Sequence, residues 1–290
     1  MLFLKCITGM LVFIALAYSQ QNNAWKISSV SNLSLALNYY SQNWDGGDMG
    51  SLTWQAQTNT TARRAITQWL ENESVFKIGF GQTKTQDKET GNWSSPFVST
   101  DYIDIETVFR FPLRAFIDPY TSLGLTSRFV DKRDTAYTRY FNPVEITGSM
   151  GAIRDIFRED NLVLSFRLGA AGRYHIDRDA LDTLTMLRET RRTNDAGLEV
   201  VGNYTQSNED EWLKFISRLT VYMALIRSEE EGDDDYWRYP DISWDNTLSI
   251  NINRYVMVQL NLQALYDREV DRNIRYKTTS SIGLTYSFSN

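Results

Sequence analysis

The chain's one imidazole is His175, in the run Tyr174-His175-Ile176-Asp177. Histidine supports hydrolysis only with a nucleophile in hydrogen-bond reach and a third group orienting the ring. Ser165 shares its side of an alternating stretch but lies ten residues away, about 33 Å along an extended chain. It cannot serve, and no other serine is marked. A strand-end or rim histidine is therefore the better reading. The acidic runs Glu229–Glu231 with Asp233–Asp235, and Asn208–Glu211, lack the spacing of a calcium loop. They read as solvated loops, and no metal or cofactor is expected. Asn43, Trp44, Gly46 and Gly47, around Asp45, read as a Trp-anchored tight turn.

The remaining candidates are charges on the polar faces of alternating segments. Asp104, Glu106, Arg110, Arg114, Glu145, Arg167, Arg173, Glu199, Lys214 and Arg218 all fall opposite apolar neighbours. On closed strands they would point into one lumen. Both signs occur, so pairs across the interior can brace the wall and narrow a channel. A lumen of a single sign would have suggested ion selection, and this mixture does not. A salt-bridged interior and a solute path lined by these groups are the two readings.

The elements that would hold such a set must be strands. Ile103, Ile105, Thr107, Phe109, Phe111 and Leu113 alternate with charged or polar residues. So do Leu162, Leu164, Phe166, Leu168 and Ala170, then Val256 to Tyr266, then Ile282 to Phe288. Weaker alternation elsewhere brings the expectation to twelve strands. The connections following odd-numbered strands are long and polar: 41–50, 84–98, 130–142, 177–196, 228–240 and 267–275. Those following even-numbered strands are short, except 62–72. Long loops outside and short turns inside are the arrangement of a bacterial outer-membrane barrel. One segment departs: Asp179–Arg191 carries Leu181, Leu184 and Leu187 at spacing three, which predicts a short amphipathic loop helix.

Composition agrees once it is sorted by parity. The 290 residues include 36 acidic and 30 basic side chains, giving −6, and one Cys. That balance excludes a nucleic-acid footprint. Mean hydropathy is −0.39, which a barrel shares with soluble proteins because only alternate residues meet lipid. Lys5, the apolar run Cys6–Ala17 and Ala17-Tyr18-Ser19 predict a secretory signal over 1–19, cut before Gln20. The barrel then occupies 20–290 without cysteine.

Several short elements also resemble a known family. Ser41-Gln42-Asn43-Trp44-Asp45-Gly46-Gly47 resembles the SNWxxGG hallmark of the bacterial domain of unknown function three thousand and seventy-eight. Trp69 with Gly79-Phe80-Gly81, Ser99 to Ile103, Thr126 to Phe129, Phe141 to Val144 with Gly148, and Leu265 to Glu269 resemble later elements in the family's order. Lys is absent before Thr100, and Arg128 stands where the family has Gln. The resemblance implies an outer-membrane-barrel-like fold and brings no assigned activity. The expectation is thus all-β: one antiparallel transmembrane barrel of about 12 strands. It would act as a narrow pore or solute-transport barrel. The alternatives are a surface-interaction barrel with a blocked lumen, a barrel hydrolase and a soluble exported β-protein. Outer-membrane lipid, a small solute and barrel-assembly machinery reading the C-terminal strand are the expected partners.

Overall fold

A computed structural model describes residues 25–38, 50–87, 90–113, 115–133, 137–159, 161–181, 187–210, 212–228 and 235–289. Residues 1–19, read as a secretory signal, Arg114 and the turn with Asn43, Trp44, Gly46 and Gly47 lie outside the described residues. Twelve antiparallel strands close into a barrel: β1 (Lys26–Asn38), β2 (Ser51–Thr67), β3 (Leu70–Thr85), β4 (Phe97–Arg110), β5 (Asp118–Ser127), β8 (Val144–Arg158), β9 (Leu162–Leu181), β10 (Arg188–Ser207), β11 (Leu213–Arg227), β12 (Asp241–Asn251), β13 (Val256–Asp267) and β14 (Asp271–Ser289). Each pairs with its sequence neighbours, except that β5 joins β8 and β14 joins β1. Between β5 and β8 stands a separate hairpin, β6 (Val130–Asp131) and β7 (Arg139–Tyr140).

Alternation fixes which face each side chain takes, because successive residues leave a strand on opposite sides. Leu33 and Leu35 on β1 pair with Ala56 and Trp54 on β2, and both leucines are exposed on the outer wall. Asn32 and Ser34 between them are buried toward the lumen. At the long-loop end the rings of Trp54, Phe80, Phe129 and Phe141 follow one another at 5.8–6.0 Å. Trp69 stacks on Phe111 at the short-turn end. These are interfacial aromatics on an apolar wall. The wall is uneven. Nearer the short-turn end of β1–β4 the outward positions carry hydroxyls, paired as Ser29–Thr60 at 2.8 Å, Ser31–Thr58 at 3.1 Å and Ser74–Thr107 at 2.9 Å.

Several sequence expectations are corrected. The helix over Asp179–Arg191 is not formed: Leu181 and Ala180 pair with Arg188 and Glu189 as strand. Leu181 and Leu187 are exposed, and residues 182–186, with Leu184, lie outside the described residues. β9 and β10 satisfy their backbone groups on each other instead and stand above the rim as a two-stranded arm. The connection at 62–72 is also no exception, since β2 and β3 nearly meet across residues 68–69. The connection at 267–275 is not a long loop. The Asp267 carboxylate accepts the N–H groups of Glu269 and Val270, and β14 starts at Asp271. The strand through residue 104 ends at Arg110 rather than 114, where Asp118 accepts the N–H of Leu113.

The β6–β7 hairpin is pinned to the arm by an ion knot. Arg139 reaches Asp131 at 2.6 Å and Asp177 at 2.9 Å, Arg133 reaches both at 2.9 Å, and Asn142 donates to both carboxylates. Burial pushes the Asp131 carboxyl up, but hydrogen bonds from Arg133 and Asn142 outweigh it and hold it well below the usual carboxylate range. A depressed folded value gives stability present above the unfolded pKa of about 3.9 and lost as pH falls through the folded one. Limited proteolysis of 128–143 is therefore expected to stay slow from neutrality to about pH 4 and to accelerate below it. Asp131→Asn, leaving two arginines short of a partner, should raise neutral-pH cleavage at least tenfold, on a loss of about 3 kcal/mol. Unchanged cleavage would mean the hairpin is held by something else.

Candidate functional site

The lumen collects the polar faces of all twelve strands, and its two sides differ. On β13, β14, β1 and β2 the inward residues are mostly amides and hydroxyls. Asn32 Nδ2 donates to Gln259 Oε1 at 3.4 Å, Gln259 donates to Asn261 at 3.2 Å, and Thr100 donates to Gln55 at 3.2 Å. The opposite side carries the charges.

Glu106 on β4 is the centre of that side. One carboxylate oxygen takes Arg167 Nη2 of β9 at 2.5 Å; the other takes Arg218 Nη1 of β11 at 2.6 Å. β5 and β8 separate β4 from β9 around the wall, and β10 separates β9 from β11. The three side chains therefore form chords across the interior rather than a ladder along it. Charge-assisted bonds of this length are the strong kind. Arg167 is nearly buried and lies over the Tyr120 ring at 5.3 Å. Tyr120 in turn accepts from Ser149 at 3.3 Å. It rests against Gly169, where a Cβ would lie 2.7 Å from its hydroxyl and 2.4 Å from the Met150 carbonyl.

Two further clusters flank this clamp. At the short-turn end Arg110 bridges Asp118 at 2.6 Å and Asp155 at 2.5 Å, and Arg158 reaches Asp155 and Glu71. Toward the long-loop end Arg173 pairs with Asp241 at 2.6 Å and stacks on Tyr222 at 3.5 Å, while Tyr222 donates to Asp195. Arg110→Ala would leave Asp118 as an enclosed carboxylate without its cation and Asp155 with Arg158 alone. It is expected to cost about 3–5 kcal/mol, read as a lower temperature for the shift from folded to unfolded gel mobility. An unchanged transition would show that water serves both acids.

The other charges singled out in the sequence sit as follows. Asp104 faces Lys77 at 3.5 Å. Glu199 is buried opposite Gly169 and Tyr222. Lys214 is half-buried, opposite Ser207 and Ser249. His175 is not at a strand end: β9 continues beyond it to Leu181. Its Nδ1 lies 3.8 Å from Glu145, and Thr193 is opposite on β10. That acid–imidazole contact is loose, and among the described residues no hydroxyl hydrogen bond to the ring is present. Asp118, Asp155, Asp195, Asp241, Tyr120 and Tyr222 escaped sequence reasoning. Asp118 and Asp155 fell in segments read as turns, and the tyrosines carry no charge pattern.

An outward apolar wall, a paired backbone and an inward polar face define a transmembrane β-barrel of the bacterial outer membrane. No protein-family model matches the chain, and neither does any curated protein. Among solved structures it is similar to the COG4313 outer membrane channel from Pseudomonas putida F1, with 14% identity, TM-score 0.46, and coverage of 94% of this chain and 98% of that one. It is also similar to the translocator domain of the autotransporter NalP from Neisseria meningitidis, with 9% identity, TM-score 0.38, and 98% and 96% coverage. The transport unit of the autotransporter AIDA-I from Escherichia coli gives 8% identity, TM-score 0.34, and 96% and 97% coverage.

Proposed function

We propose that the chain is a narrow outer-membrane pore for small, uncharged polar solutes, without enzymatic activity. The observation that carries this reading is the two-sided lumen. Amides and hydroxyls on β13, β14, β1 and β2 offer replaceable hydrogen bonds along one wall, while the Glu106 clamp narrows the other. Such a wall exchanges hydration without binding a charge tightly. The partners are outer-membrane lipid, the solute, and assembly machinery acting on β14. The resemblance to the domain of unknown function three thousand and seventy-eight belongs to the same reading.

Liposome swelling with a neutral monosaccharide, beside planar-bilayer conductance, tests it. Swelling with the sugar and small ionic currents are expected. The clamp itself favours a second reading, a barrel closed at rest that works through its external arm and hairpin. Silence in both assays, from wild type and from a Glu106 variant alike, would overturn the pore and leave that second reading.

A further inference from the structure

The barrel's closing seam is incomplete. β1 pairs with β2 along its whole length, from Lys26 to Asn38. With β14 it pairs only from Ser28↔Ser289 to Ser34↔Gly283. Above that point the ladder stops among the described residues, although both strands go on. Continuing the register would set Leu35 opposite Ile282 and Leu37 opposite Ser280, and these pairs are not made. The gap lies on the long-loop half of the wall, at the level of Trp54, which is the partner of Leu35 on β2. Unpaired backbone facing lipid costs several kcal/mol per group, so something must serve this edge.

The inner lip of the gap carries a second, independent feature. Asn32 Oδ1, Ser281 Oγ and Thr285 Oγ1 are enclosed and lack hydrogen-bond partners. Asn32 is 7% exposed and Thr285 6%. Asn32 and Thr285 face each other two residues below the last pair, and Ser281 stands two residues above it. The three atoms therefore straddle the point where the seam opens. Gly283 makes the approach possible, since a Cβ there would lie 2.4 Å from the Leu33 carbonyl and 2.6 Å from Asn32 Oδ1. The outer lip is apolar, with Leu35, Ile282 and Leu284 exposed to lipid. The nearest lumenal cations above it are engaged, Lys277 with the Ser99 carbonyl and Arg275 with Asp267.

We propose that the β1–β14 seam is a side portal that holds an amphiphile with an uncharged, hydroxylated head, its tail in the outer leaflet. The occupant's chemistry follows from the atoms. An orphaned amide oxygen needs a donor, and two orphaned hydroxyls take either role, which a polyol or sugar head supplies. The three orphaned atoms are all uncharged, which suits a hydroxylated head rather than an anionic one. Leu35 and Ile282 give an alkyl tail an apolar exit. The portal opens sideways through the wall, and its inner lip is shared with the polar wall proposed for conduction.

An alkyl glycoside carrying a diazirine on its sugar tests this with the full barrel in proteoliposomes. Mass spectrometry of the photolabelled protein is expected to find the head label concentrated on Asn32, Ser281, Thr285 and their strand neighbours. Ser281→Ala and Thr285→Val keep the ladder and should each cut that labelling about fivefold, with gel mobility unchanged. Label spread evenly round the outer wall, or undiminished in both variants, would overturn the portal. Loss of swelling without loss of labelling would count against the axial pore alone.

Discussion

Glu106→Gln should convert a narrow pore of small ionic current into a strongly conducting one. The substitution keeps the side chain's shape and removes the charge that draws Arg167 and Arg218 together. Those two guanidiniums, on β9 and β11, then repel each other across a lumen that had been spanned by them. Single-channel conductance is expected to rise several-fold. The reversal potential in a salt gradient should move toward anions, because two uncompensated positive charges now line the narrowest place. Stability should fall by about 3–5 kcal/mol, the usual consequence of taking one partner from an enclosed ion set. Restoring the balance with Arg218→Met in the same chain should recover part of that loss and remove much of the anion preference. A Glu106→Gln barrel with wild-type conductance would place the constriction elsewhere.

Gly169→Val should fail to give the folded barrel at all. The residue sits where β8 and β9 cross beneath the Tyr120 ring. A Cβ there would come within 2.4 Å of a backbone oxygen on β8 and 2.7 Å of the tyrosine hydroxyl. The tyrosine can swing away, but the carbonyl of Met150 is fixed in the ladder. Relieving the clash means separating β8 from β9 at mid-wall and breaking hydrogen bonds that lipid cannot replace. Refolding into detergent or lipid should leave the protein entirely in the unfolded band on an unheated gel. Tyr120→Leu offers the contrast: it removes the ring under Arg167 and keeps the strands in contact, so it should fold with reduced thermal resistance. A folded Gly169→Val barrel would show that the strands have more room than these distances allow.

The strand pattern was legible because lipid imposes it. Each outward position must be apolar or internally bonded, and on β4, β9 and β13 that requirement writes itself as strict alternation. It was illegible where lipid makes no demand. The arm of β9 and β10 extends beyond the lipid and packs on the β6–β7 hairpin through ions, so its arginines and threonines follow no apolar alternation, and three leucines at spacing three imitated a helix. β2 and β3 were cut short for a related reason, since Thr60, Ala62 and Asn72 on their outer faces look like loop residues. The charged faces could be assigned by parity alone, which places Glu106, Arg167 and Arg218 inside. That one carboxylate grips both arginines could not be read off, because those contacts join strands far apart in the sheet order. The unfinished seam was equally hidden, as strand length says nothing about how much of an edge its neighbour covers.

The hydroxyl pairs on the outside of β1–β4 set how the molecule rides in its bilayer. On that flank the outward apolar run on β1 is interrupted below Leu33, whereas on β9 Leu162, Leu164, Phe166 and Leu168 carry it down to the short turn. A rigid cylinder with unequal belts cannot stand upright in a slab of uniform thickness. It is expected to lean so that neighbouring acyl chains shorten beside Ser29, Ser31, Thr58 and Thr60. Lateral company is then chosen by thickness: molecules whose own belts are short relieve the same shortening and gather on that flank.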